Sequence, residues 1–98
     1  MGTKKINAQL NKIDHIGRRL RLVDSIIEIA RQDARKGDKN SSIEHTGLAL
    51  NELAKARCEV EALSYSSDND KSDWVNAVCF AFYGQINELE RIIEAIRK

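Results

Sequence analysis

The stretch WVNAVCFAFYGQINELERIIEAIRK, residues 74–98, decides the fold class of this chain. Its apolar residues recur at steps of three and four, which is the spacing of one face of an α-helix. That face comprises Val75, Val78, Phe82, Ile86, Leu89, Ile93 and Ile96. The pattern predicts an amphipathic helix over about residues 74–97, with Phe82 directed at the core.

Two segments upstream carry the same helical spacing. The first covers about residues 5–36, and its stripe comprises Ile16, Leu20, Val23, Ile27, Ala30 and Ala34. The second covers about residues 42–65 and is expected to bury Leu50, Leu53, Ala56, Val60 and Leu63. Short polar breaks separate the three segments, so the sequence predicts an all-α, three-helix up-down-up bundle as a single domain over residues 1–98.

Local signals set the expected helix ends. Gly37 is suited to the left-handed residue that closes the first helix, and Ser41 with Glu44 has the spacing of a capping box for the second. Gly17 interrupts the first stripe, which leaves open whether the first helix continues through it. The first helix is longer than the other two, so its end with Leu10 is expected to overhang them and to favour a helical dimer.

The composition excludes several classes of protein. The 98 residues contain no proline and five glycines, which disfavours an all-β fold. Charged residues make up 32% of the chain, yet the net charge is only +1. We find no apolar signal core and no stretch that could span a bilayer. Cys58 and Cys79 lie inside helical patterns and are interpreted as small buried thiols of a cytoplasmic protein.

Catalytic chemistry finds little support in the sequence. The two histidines are His15 and His45, and Cys58 is 13 residues from His45 on one predicted helix, too far to act as its partner. Residues 68–73 begin like a calcium loop, but Asp73 stands where that loop needs Gly and Cys79 where it needs Glu. We therefore expect no enzyme activity, no cofactor and no metal site.

Arg19 and its neighbours suggest two uses of positive charge. Arg19 falls inside the apolar arc of the first helix, so we expect an ion pair with a Glu of another helix or of a second subunit, or a role at an interface. The basic residues Lys4, Lys5, Lys12, Arg18 and Arg21 form the alternative, a nucleic-acid-binding arm. The competing interpretation pairs Arg18 and Arg21 with Glu59 and Glu61 in a helical hairpin.

The third helix offers the main candidate surface for protein binding. With Phe82 facing the core, Phe80 and Tyr83 are expected to point away from it, and Gly84 to let another backbone approach. Trp74 completes this set, and all five aromatic residues fall between Tyr65 and Tyr83. The sequence thus predicts a non-enzymatic protein-binding module, a regulator, inhibitor or adaptor of bacterial or phage type. Its expected partners are itself, as a dimer, and one other protein, with nucleic-acid binding as the alternative and no membrane.

Overall fold

A computed structural model describes residues 2–67 and 73–98 of the chain, with side chains over residues 7–65 and 73–98. These residues form three α-helices, α1 (Gly2–Arg35), α2 (Lys39–Ser67) and α3 (Asp73–Arg97), and no strand. All three helices pack against one another. The predicted all-α class and the three helices are confirmed. None of the helices, over the part described, is long and apolar enough to cross a membrane.

The connection between α1 and α2 is tighter than predicted. Gly37 has a φ of 81°, and its N–H donates to the Ala34 carbonyl at 3.1 Å. The N–H of Asp38 donates to the Asp33 carbonyl at 2.9 Å, which completes a Schellman motif. Asp38 then begins α2 directly, because its Oδ1 accepts the N–H of Ser41 at 3.1 Å. The predicted capping box on Ser41 is wrong, since Ser41 already lies inside the helix.

Helix α1 continues through Gly17 without a break and has 34 residues, against 29 in α2 and 25 in α3. A Cβ placed on Gly17 would meet no atom within 4 Å, so no close contact explains the glycine. At a rise of 1.5 Å per residue α1 is about 51 Å long. It therefore sets the long dimension of the molecule, which measures 55 Å.

The core follows the predicted stripes with a few shifts. Its buried members are Ile16, Leu20, Val23 and Ile27 of α1, then Ala49, Leu53, Ala56, Val60 and Leu63 of α2, and Val75, Cys79, Ile86, Leu89 and Ile93 of α3. Leu50, Phe82 and Ile96 are only partly buried, and Ala34 is exposed. The core side of α3 is therefore centred on Ile86 and Cys79 rather than on Phe82.

The two cysteines differ in their environment. Cys79 is buried, and its thiol lies 3.9 Å from the Val60 carbonyl of α2, to which it donates. Cys58 is exposed, so the prediction that both thiols are buried is wrong for this one. Its position explains why, because Cys58 is two residues, or about 200° round the helix, from both Ala56 and Val60. Both cysteines are free thiols.

Candidate functional site

The outward side of α3 is uncharged between Asp73 and Glu88 and carries an exposed aromatic ring. No charged residue occurs between Trp74 and Asn87, in a chain of which 32% is charged. Phe80 is 81% exposed, the highest value among the large apolar residues described. Ala77 and Gly84 are also exposed, and a Cβ on Gly84 would meet no atom within 4 Å. The ring of Phe80 therefore projects from α3 one turn before Gly84, which has no side chain.

Tyr83 does not belong to this outward surface, which corrects the prediction. It is half-buried and packs against the core. Burial raises the pKa of Tyr83 above its usual value, and the charge of Glu61 on α2 adds to the increase. The reason is angular: Tyr83 lies about 40° round the helix from Cys79 and about 60° from Ile86, whereas Phe80 lies about 100° and 120° away. The prediction took Phe82 as the centre of the core side of α3, and this choice placed Tyr83 on the outward side.

The other aromatic residues do not share one face with Phe80. Trp74 is 41% exposed but precedes Phe80 by six residues, which separates the two rings by about 120°. Tyr65, on α2, is 76% exposed and was not among the predicted site residues. In the sequence, the feature that could have pointed to Tyr65 is the concentration of aromatic residues between Tyr65 and Tyr83.

Arg19 forms its ion pairs within the chain, with two carboxylates of α2. Its guanidinium binds Glu52 of α2 at 2.5 Å and also bonds to Glu59, and only 21% of its side chain is exposed. Burial alone lowers the pKa of Arg19, but the hydrogen bonds that it donates to Glu59 and Glu52 outweigh burial and raise the pKa. His15 joins the cluster, with Nε2 3.0 Å from Glu59. Arg19 thus has the interhelical ion pair that was expected, and its proposed interface role loses its main argument.

The carboxylates of this cluster respond to the same charges. Burial alone raises the pKa of Glu52, but hydrogen bonds from Arg19 and Lys55 outweigh it and hold the pKa below its usual range. A second contact joins the helices near the turn, where His45 Nδ1 lies 2.8 Å from Asp33 Oδ2. Polar contacts therefore join α1 to α2 both at mid-helix and beside the turn.

The basic residues of α1 are dispersed. Lys12, Arg18 and Arg21 are exposed, but Lys12 and Arg21 are about 180° apart round the helix. Arg18 pairs with Asp14 one turn earlier at 3.0 Å, not with Glu59 or Glu61 as the hairpin interpretation expected. The side chains of Lys4 and Lys5 lie outside the described residues. Lys12, Arg18 and Arg21 therefore do not form one continuous basic stripe.

The two histidines each lie against one carboxylate. Both histidines face carboxylates across the α1–α2 contact, and neither contacts a thiol in the described structure. Over residues 7–65 and 73–98 no group of three or more His, Cys, Asp or Glu side chains is placed to hold a metal ion. Comparisons with protein families, with curated proteins and with solved structures found no match to this chain.

Proposed function

We propose that this chain is a non-enzymatic protein-binding module that self-associates as a dimer and acts by covering or bridging the surface of a partner protein. The observation that carries the proposal is the outward side of α3, where Phe80 is 81% exposed within a charge-free stretch. Exposed large aromatic side chains concentrate at the centres of protein interfaces. An uncharged helix side in a highly charged chain is typical of a surface that another protein covers.

The helix order within the proposed module is up-down-up. Arg19 contacts Glu59 while Asp33, later in α1, contacts His45, earlier in α2. Across the second interface Cys79 contacts Val60, whereas Arg57, earlier in α2, contacts Glu90, later in α3. Both sets of contacts support antiparallel neighbours. Two free thiols favour a reducing compartment, and we propose the cytoplasm.

Self-association is tested by the mass of the chain in solution. Light scattering over about 1–100 μM should show a dimer, since contacts of moderate strength are populated in that range. Phe80→Asp should keep the helical circular-dichroism spectrum and lose the dimer, because Phe80 makes little contact within its own chain. Tyr83 is left unchanged because it packs against the core.

Leu22→Asp is the matched control, since Leu22 is 50% exposed on α1. This variant should remain a dimer. A wild-type chain that is monomeric at ~100 μM contradicts the dimer. Affinity capture from the native host with both variants then tests the partner: a protein held by Leu22→Asp and lost by Phe80→Asp is expected.

A further inference from the structure

The outward side of α3 carries a second stripe, distinct from the core stripe. Asp73, Ala77, Phe80, Gly84, Asn87 and Arg91 follow one another at steps of four, three, four, three and four, and all six are exposed. Steps that alternate in this way place all six residues along one side of the helix, in a stripe that a second helix packed along its length contacts. Core side and seam thus lie on opposite sides of one helix, which leaves the seam free to receive another helix.

The seam is complementary to a second copy of itself. Placing Phe80 opposite Gly84 of a copy that runs the other way centres the pair on residue 82. The same centre places Asp73 opposite Arg91. The exposed ring then faces Gly84, where a Cβ would meet no atom within 4 Å. Each contact occurs twice, as a twofold axis requires.

We propose that α3 pairs antiparallel with α3 of a second copy of this chain, with Phe80 packed on Gly84 and Asp73 paired with Arg91 at both ends. The proposal rests on the self-association proposed above and assigns its geometry. Charge selects the direction, because a parallel pair would place Asp73 beside Asp73 and Arg91 beside Arg91. Among residues 7–65 and 73–98, Arg91 makes one ion pair, at 3.7 Å to Glu88, and both of those side chains are more than 60% exposed, so its guanidinium is accessible to a second copy.

The shape of the seam is tested with Gly84→Leu. Within the chain the new side chain meets open space, and Leu favours a helix over Gly, so the helical signal should be kept or increase. Between copies it fills the gap that receives Phe80, so the dimer dissociation constant should rise at least ~100-fold. Gly47→Leu is the control, because a Cβ on Gly47 of α2 would also meet no atom within 4 Å. It should leave the dissociation constant unchanged.

The direction is tested by charge reversal, with sedimentation as the measurement. Asp73→Arg and Arg91→Asp should each raise the dissociation constant about tenfold, since every reversal creates two like-charge contacts per dimer. The double variant should return to within about threefold of the wild type. Arg18→Asp is the control, because Arg18 and Arg91 are 74% and 75% exposed. Circular dichroism checks each variant, since Asp73 also stabilises the first turn of α3.

The outcomes separate this inference from the proposed function. A monomeric wild type overturns this inference and the self-association on which it rests, while the capture of a partner protein is tested separately. A wild-type dimer that Gly84→Leu leaves intact overturns only the α3 seam. A dimer lost in Gly84→Leu but not restored by the double reversal overturns the antiparallel register. If Gly84→Leu stays dimeric and instead loses a captured host protein, the seam receives that protein, and a second copy is overturned as its occupant.

Discussion

The contact of α1 with α2 and the contact of α3 with α2 differ in how many charged side chains they contain. Both contacts bury apolar side chains, but α1 also meets α2 through the partly buried cluster of Arg19, Glu52 and Glu59 and through Asp33 with His45. Helix α3 meets α2 mainly through apolar side chains; among the described residues one ion pair, Arg57 with Glu90, joins the two helices, and both of its side chains are 36% exposed.

The difference shows what fixes the position of each helix against α2. Opposite charges placed at two levels of α1 and α2 fix which residues lie side by side, because sliding one helix would leave Arg19 or its carboxylates buried without partners. Helix α3 is held by area removed from water, which tolerates small shifts. It therefore needs few charges, and its outward side has none between Trp74 and Asn87.

The largest expected effect concerns the apolar contact of α3. Ile86 is fully buried, so Ile86→Ala should lower the free energy of unfolding by about 3–4 kcal/mol through lost burial and a cavity. Phe80→Ala removes a larger side chain from the same helix but an exposed one, so it should cost about 0.5 kcal/mol or less. Urea denaturation compares the two. Equal losses would mean that Phe80 also holds the fold.

The next effect concerns the charged contact of α1. Arg19→Ala leaves Glu52 and Glu59 partly buried without their main cation, so it should cost roughly 2–3 kcal/mol. Arg18→Ala, on an exposed pair, should cost about 0.5 kcal/mol or less. Chemical denaturation of both variants measures the contrast. Small and equal losses would show that the α1–α2 contact also depends on apolar burial alone.

The smallest effect is a dependence on pH. Hydrogen bonds from the backbone and side chain of Ser41 lower the pKa of Asp38, and Arg19 lowers that of Glu52. A carboxyl whose pKa is lower in the folded state stabilises the fold above its unfolded pKa, and that stability is lost as the pH falls through the folded value. The free energy of unfolding should therefore fall between about pH 5 and pH 3.

The variant Arg19→Ala makes the pH prediction specific. Without Arg19 the lowered pKa of Glu52 loses its main cause, so the decrease of stability toward acid should be shallower than in the wild type. Asp38→Asn should remove the other contribution. Denaturation midpoints at about pH 6 and pH 3 give the comparison. An unchanged slope in Arg19→Ala would assign the acid response to other carboxyls.

Most of the fold was predictable because helical spacing is a local property. The stripe around Leu20, the turn at Gly37 and the third helix all follow from the order of residues. The start of α2 was misplaced by three residues, because Asp38 and Ser41 both have capping side chains and the tight turn selects Asp38. The charge of Arg19 within an apolar arc correctly indicated an ion pair to another helix.

The candidate site was predictable only in part. A run of residues without charge is visible in the sequence, and so is an exposed ring at Phe80 once the core side is known. The sequence cannot say which of several neighbouring apolar residues is central. Tyr83, Cys79 and Phe82 lie within about 100° of one another round α3, and the packing of α2 decides which of them are covered.

The sequence by itself determined that this chain forms three amphipathic helices, since 3.6-residue periodicity and turn residues act within a few positions of each other. Only the tertiary structure decided which carboxylates pair with Arg19, that Tyr83 packs against the core, and that Cys58 is exposed. Those outcomes depend on the rotation and register of each helix against its neighbours. Rotation and register are set jointly by side chains far apart along the chain, so no single stretch contains them.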